Sequence, residues 1–181
     1  VRAATLEAIE FIRADRRGTP VVRLDMRHLP FRTASLELVT NFFTAFGYFE
    51  DDEENAAVIG EVARVLKPGG WFMIDFLNSH VVRRGLLRSV GWENVQVGGE
   101  NWRIRRALSD DRRRAEKLQE KILGDDVLRV IRESVRLFSA EEMRAMLERV
   151  GIAPIREAGD YSGAPFDPAN SPRFIVIGRR S

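Results

Sequence analysis

Few residues in these 181 can carry out chemistry, and their spacing narrows the choice further. There is no cysteine, which removes thiolate metal sites, disulfides and a cysteine nucleophile. The two histidines, His28 and His80, stand far apart without an acidic partner at ligand spacing, so no metal site is expected. His80 follows Asn78 and Ser79 and reads either as a general base or as a helix cap. Asp25 closes a short apolar run, where a carboxylate can accept hydrogen bonds from a ligand lying beyond a strand end. The alternative for Asp25 is a loop cap paired with Arg23 or Arg27. The segment from Asn41 to Phe49 holds Phe42, Phe43, Phe46, Tyr48 and Phe49. Aromatic faces attract cations, but four phenylalanines cannot all line one site, so at least two are expected in the core. Tyr48, with its polar tip, is the better candidate for touching a substrate.

The elements that must position these residues follow from apolar patterning. Thr5 to Arg17 reads as a helix ended by Gly18, and Pro20 opens a short strand over Val21 to Leu24. Met26 to Ala34 is a loop. Leu36 to Val39 is a second strand, expected to be buried because its residues alternate little. Asp51 or Asp52 caps the next helix, with Glu53 and Glu54 in its first turn and Ala57, Val58, Val62, Val65 and Leu66 facing inward. Lys67-Pro68-Gly69-Gly70 ends that helix, and Trp71 to Phe76 follows as a strand. Strand, helix, strand predicts a parallel pair with a right-handed crossover.

Beyond a helix over His80 to Val90, the stretch from Val95 to Phe138 reads as an antiparallel meander broken at Ser109-Asp110-Asp111 and Gly124-Asp125-Asp126. One face is expected to carry Trp102, Ile104, Leu118, Ile122, Leu128 and Val130. Arg113 to Leu123 is compatible with a helix as well as a strand, since Arg, Glu, Lys, Gln and Leu favour helices. Ser139 with Glu142 makes a capping box for a helix to Val150. Strands over Ile152 to Ala158 and Phe174 to Gly178 finish the chain.

Three stretches then take on a joint meaning: Asp25-Met26-Arg27-His28-Leu29-Pro30-Phe31, Asn41 to Phe49, and Val65-Leu66-Lys67-Pro68-Gly69-Gly70. With Glu133 to Ser139, Gly159-Asp160-Tyr161-Ser162-Gly163 and Ser171-Pro172-Arg173-Phe174, they resemble a class I S-adenosylmethionine-dependent methyltransferase of the small-molecule branch. The resemblance implies an α/β fold, a Rossmann-like doubly wound sheet, with an antiparallel β insert over residues 92–138 inside one domain spanning 1–181. It implies S-adenosylmethionine as cofactor, a small-molecule methyl acceptor and a cytoplasmic location. Asp25, Met26 and Arg27 would meet the adenine, and Asn41, Phe42 and Phe43 would lie beside the methionine portion. Tyr48, Asn78, Arg136, Tyr161 and Arg173 fall on the acceptor side; the last three, Arg136, Tyr161 and Arg173, either border the pocket or brace the insert. No catalytic acid–base pair is nominated, because a sulfonium-bound methyl is already activated and alignment supplies much of the rate.

Members of that family carry a Gly-x-Gly-x-Gly turn after the first strand and an acid ending the second, and these 181 residues contain neither at the matching places. The family's sheet order is 3-2-1-4-5-7-6, so the expectation is a sheet lacking its first two strands, an N-terminally incomplete form that binds the cofactor poorly. The Val21 strand is then expected either to pair with the Leu36 strand or to sit loosely. A methyltransferase-like module that binds without catalysing is the alternative reading.

Composition limits the partners. Lys and Arg total 29 against 27 Asp and Glu, a formal charge of +2. Arg112-Arg113-Arg114 either touches phosphate or is a solvated strand end beside Asp110 and Asp111. Nucleic-acid binding or modification through the Arg-rich insert is a third reading, but no stretch interleaves aromatic and basic residues as single-strand binders do, so nucleic acid is not expected as a partner. No apolar run approaches the roughly 18–20 residues of a membrane helix, and the start, Val1-Arg2-Ala3-Ala4, leads into a charged amphipathic segment unlike a secretory leader.

Overall fold

The computed structural model describes residues 22–89, 91–124 and 126–181. The helix expected over Thr5 to Arg17 lies outside the described residues. Two four-stranded sheets organise the rest. The first is built from β1 (Leu36–Asn41), β2 (Leu66–Leu77), β7 (Ile152–Ala158) and β8 (Arg173–Arg180), in the order β1-β2-β8-β7. The second is an antiparallel meander of β3 (Glu93–Val97), β4 (Glu100–Leu108), β5 (Arg114–Leu123) and β6 (Asp126–Arg136).

Helix α1 (Asp52–Val65) joins β1 to β2, which run parallel, as the strand–helix–strand pattern requires. Asp52, Glu53 and Glu54 occupy its first turn, where carboxylates meet the positive end of the helix dipole. Asp51 is the N-cap by backbone position, without a side-chain bond. The buried face differs slightly from expectation: Ile59 and Asn55 point inward, and Ala57 is exposed. β2 starts at Leu66, directly after the helix, so Lys67 to Gly70 belong to its first turn of chain rather than to a separate loop. A Cβ on Gly70 would stand 2.8 Å from the Lys67 carbonyl oxygen and 3.2 Å from that of Glu37, so a side chain there would push β1 from β2.

Helices α2 (Ser79–Leu86) and α3 (Ala140–Arg149) follow β2 and β6. The capping box on α3 is complete: Ser139 Oγ accepts from the Glu142 amide while the Glu142 carboxylate accepts from the Ser139 amide. α1 and α3 cover the sheet face made by Phe72, Ile74 and Phe76 of β2 with Phe174 and Val176 of β8. Phe46 and Phe138 close that core, their rings 5.5 Å apart.

Three expectations fail here and one open choice is settled, each for a physical reason. Residues 22–25 form no strand, against the strand expected over Val21 to Leu24, and the following loop is held to α1 by Glu54, Glu61 and Arg64. β1 is not buried: it is the sheet edge among the described residues, and Leu38 is 57% exposed. Arg113 to Leu123 is a strand, because β4 and β6 flank it and supply every partner, overriding its helix-favouring composition. The apolar face of the meander is not as expected either. Trp102 and Ile104 pair with Lys121 and Gln119, whereas Leu118 sits opposite Arg105, so apolar residues are divided between both faces.

Candidate active site at the carboxyl ends of the strands

β1, β2 and β7 all point their carboxyl ends to the same edge of the first sheet, where β8 begins. In an open α/β sheet this edge is where ligands bind. The residues gathered there are Asn41 to Thr44, Asp75 to Asn78, Tyr161 and Arg173.

Asp75 is the hub. It is 0% exposed, one strand residue in an otherwise apolar run, and three donors converge on its carboxylate. The Tyr161 hydroxyl donates at 2.7 Å and the Phe43 amide at 2.9 Å, both to Oδ2. Arg173 Nε donates to Oδ1 at 2.7 Å. A buried carboxylate is tolerated only when so paired and bonded. The Asp75 backbone carbonyl also accepts from the Thr44 amide at 3.3 Å, and Arg173 donates to Thr44 Oγ1 at 2.9 Å. These bonds hold Phe43 and Thr44 at φ values of 56° and 59°. Two consecutive non-glycine residues in the left-handed region carry strain of about 1–3 kcal/mol each. The result is that Phe43, 82% exposed, projects from the end of β1. The Tyr161 phenol is held above its ordinary pKa, first by the Asp75 carboxylate that accepts its proton and then by burial.

Asn41 ends β1, and its Oδ1 is buried without a hydrogen-bond partner. An orphaned acceptor beside the exposed Phe43 ring suits a ligand that brings a donor and a positive charge. Phe42 is partly exposed next to it, its ring 6.1 Å from that of Phe43.

The 25–34 loop approaches from the side of α1. Asp25 accepts from the Arg27 amide at 2.9 Å and from its guanidinium at 2.7 Å, which brings its carboxyl down to about 2. Arg27 also pairs with Glu54 and lies over the Phe49 ring, 4.4 Å from its centre. Of the alternatives open for Asp25, pairing with Arg27 is therefore present, and the carboxylate keeps an edge toward solvent. Met26 packs its side chain against the core.

The acceptor-side residues separate into groups. Tyr161 and Arg173 meet at Asp75. Arg136 is 3% exposed and is spent on Asp52 (3.0 Å), Glu142 (2.8 Å) and the Phe138 ring, which makes it a brace between the meander and the two helices. Asn78 is a strut: its amide donates to the Pro168 and Ser171 carbonyls, and its oxygen accepts from the His80 amide. The cap of α2 is thus Asn78, not His80. Tyr48 is half-buried, and burial first, then Glu133, pushes its phenol pKa up. Glu133 itself accepts from Gln119 at 3.0 Å and faces Lys117 at 3.6 Å. Sequence reasoning missed Asp75 and Thr44; the signal was present for Asp75, a single carboxylate inside Trp71 to Leu77.

Within the Arg112 to Arg114 cluster, Arg112 and Arg113 are exposed and Arg114 is half-buried. Arg113 pairs with Asp52, and Arg114 donates to the carbonyls of Phe49, Glu50 and Gly47 and to Ser134. Among the described residues there is no group of acids and histidines able to hold a metal, and no helix long and apolar enough to cross a membrane.

A family model described as a methyltransferase domain matches residues 4–74. The cypemycin N-terminal methyltransferase of a Streptomyces species is 25% identical over 97% of this chain and 71% of its own length. Over most of its length the chain is similar to S-adenosylmethionine-dependent methyltransferases. The solved structures agree in fold. An S-adenosylmethionine-dependent methyltransferase from Clostridium acetobutylicum ATCC 824 superposes with a TM-score of 0.79 at 14% identity, covering 100% of this chain and 72% of that one. CalS10, an amino pentose methyltransferase from Micromonospora echinaspora solved with S-adenosylmethionine bound, gives 0.62 at 19%, covering 96% and 70%. The order β1-β2-β8-β7 is the 4-5-7-6 half of the class I methyltransferase sheet.

The residues at the end of β1 fit S-adenosylmethionine on its methionine side. Asn41 Oδ1 is an acceptor in want of a donor, and S-adenosylmethionine carries an ammonium; Phe43 offers a π face, and the molecule carries a sulfonium.

Proposed function

We propose that this protein is an S-adenosylmethionine-dependent methyltransferase that methylates an amine nitrogen of a small molecule, with the acceptor held between the Tyr48 segment and the β4–β6 face of the meander. The observation that carries the reading is the end of β1, where an orphaned acceptor and an exposed aromatic ring stand together at the ligand edge of the sheet. S-adenosylmethionine, when bound, supplies a methyl group on a sulfonium. Asn41 then accepts from the ammonium of its methionine portion, and Phe42 and Phe43 flank the positive sulfur. Met26 and Arg27 border the adenine with Asp25. On the acceptor side, Glu133 attracts a protonated amine and Tyr48 orients it. Since a neutral nitrogen is the nucleophile, the amine must shed its proton before attack, and Glu133, whose charge acts on the Tyr48 phenol, is the carboxylate we assign to take it.

Two likenesses support an amine rather than a hydroxyl acceptor: one relative is named an N-terminal methyltransferase and one neighbour an amino pentose methyltransferase. The test is transfer of labelled methyl from S-adenosylmethionine, at millimolar concentration, to a panel of amino sugars and peptide amines set against their hydroxyl analogues. Label in the amines alone is expected, and E133Q should lower turnover about 10²-fold. Label confined to hydroxyl acceptors overturns the reading. The lack of a Gly-x-Gly-x-Gly turn in the 181 residues favours a second reading, a module that binds amines without turning them over. Amine binding with no transfer, at any cofactor concentration, would establish that one.

A further inference from the structure

Two loops from distant parts of the sequence meet at one carboxylate oxygen. The Phe43 amide comes from the loop after β1, on the donor side of the site. The Tyr161 hydroxyl comes from the segment between β7 and β8, on the acceptor side. Both donate to Asp75 Oδ2, at 2.9 Å and 2.7 Å. Arg173 opens β8 and reaches both partners of the junction, Asp75 Oδ1 at 2.7 Å and Thr44 Oγ1 at 2.9 Å.

The asymmetry of burial matters. Asp75 is wholly buried, yet Tyr161 is 64% exposed and anchored to it by the hydroxyl. The ring is therefore free to be contacted or displaced by a molecule arriving at the edge of the sheet, while the far end of the same hydrogen bond controls a strained backbone. The Phe43 amide bonds to the Asp75 carboxylate and the Thr44 amide to its backbone carbonyl, and these bonds offset the strain of two consecutive positive φ values. The Tyr161 hydroxyl and Arg173 together fix the orientation of the Asp75 carboxylate, so removing the phenol loosens the acceptor on which the Phe43 amide depends.

We propose that Asp75 is a positioning residue that couples the acceptor-side Tyr161 loop to the donor-side Phe43–Thr44 loop through its shared Oδ2. This rests on the methyl-transfer reading for what the two loops hold, but not for the coupling itself. An acceptor that engages Tyr161 sets the placement of Phe43 at the cofactor, and a cofactor seated on Phe43 fixes Tyr161 in return, as any coupling between two sites must be reciprocal.

The deciding variant is Y161F in the full chain, because the residue is exposed and the change leaves the ring in place. Amide exchange at Phe43 and Thr44 should quicken about tenfold, the scale of one charge-assisted hydrogen bond lost. The dissociation constant of S-adenosylhomocysteine, followed by NMR titration, should rise about 5- to 10-fold, with the melting temperature nearly unchanged. T44V, which removes only the Arg173 contact, should produce a smaller change at the same two amides. Unchanged exchange at Phe43 and Thr44 in Y161F overturns the proposal. So does a uniform quickening across the sheet with a lowered melting temperature, which would make Tyr161 a simple brace. If the unsubstituted chain takes up no S-adenosylhomocysteine at millimolar concentration, the methyl-transfer reading falls, and the exchange comparison alone decides the coupling.

Discussion

Single carboxylates do most of the organising in this chain, and the sequence advertises some of them better than others. Asp25 stands out because it ends an apolar run before a proline-containing loop. Asp75 is hidden inside such a run, where its charge reads as an interruption until the register shows three donors around it. Glu61 is a third case. From α1 it accepts from the Leu29 amide at 2.8 Å and from Arg64, which in turn donates to the Leu29 and Phe31 carbonyls. That clip holds the loop carrying Asp25 against the helix. The Arg64 guanidinium, foremost among its partners, brings the Glu61 carboxyl down from 4.5 to about 2, as Arg27 does for Asp25. Both folded values lie below the unfolded ones, so this stabilisation is fully present above about pH 4.5 and is lost as the pH falls toward 2. Glu61→Gln should loosen the loop at neutral pH, at a cost of roughly 1–2 kcal/mol, given that both side chains are partly exposed. The readouts are faster exchange of the Leu29 amide and a flatter acid limb of stability against pH; an unchanged acid limb would locate the pH sensitivity elsewhere.

At the scale of elements, local signals served where an element is decided locally. The α3 capping box and the acidic first turn of α1 were legible because each is settled within four residues. β5 was ambiguous because its composition suits a helix, and only β4 and β6 decide otherwise. The division of apolar residues over both faces of the meander was invisible for the same reason: a strand's own alternation is readable, but its register against a neighbour depends on the hairpins. Arg136 belongs to this scale, since it ties the last residue of β6 to the starts of α1 and α3. Arg136→Met should cost about 2–3 kcal/mol, below the usual figure for breaking a buried pair, because Asp52 and Glu142 are partly exposed and regain water. A urea denaturation series measures it. Stability unchanged beside an altered acceptor affinity would return Arg136 to the pocket lining.

The described residues form two sheets, and whether these could hold the proposed acceptor jointly depends on whether they move together. The joint is small and explicit. The Arg136 amide donates to the Gly47 carbonyl at 2.8 Å, Arg114 caps the carbonyls of the 47–50 loop, and Arg83 donates to the Leu137 and Arg112 carbonyls. Gly47 sits at its centre with φ of +91°, and a Cβ there would stand 3.0 Å from the Arg136 carbonyl oxygen and 3.2 Å from Val135 Cγ1. Neither neighbour can yield without moving β6, since one is backbone and the other is a stiff β-branched side chain. Gly47→Ala therefore imposes left-handed strain and displaces the meander at once, about 2–3 kcal/mol together. If the two sheets unfold as one unit, the whole urea transition shifts and keeps its slope. If the joint is what unites them, exchange should quicken first at Arg136 and Leu137 and then along β5 and β6, while Phe72 to Phe76 stay protected. The geometry favours the second outcome, because the contacts across the joint are hydrogen bonds to loop carbonyls rather than a shared apolar core, with Val135 and Phe138 at the β6 end supplying most of the apolar bridge. A uniform loss of protection in both sheets would show instead that this bridge suffices to make the molecule a single cooperative body.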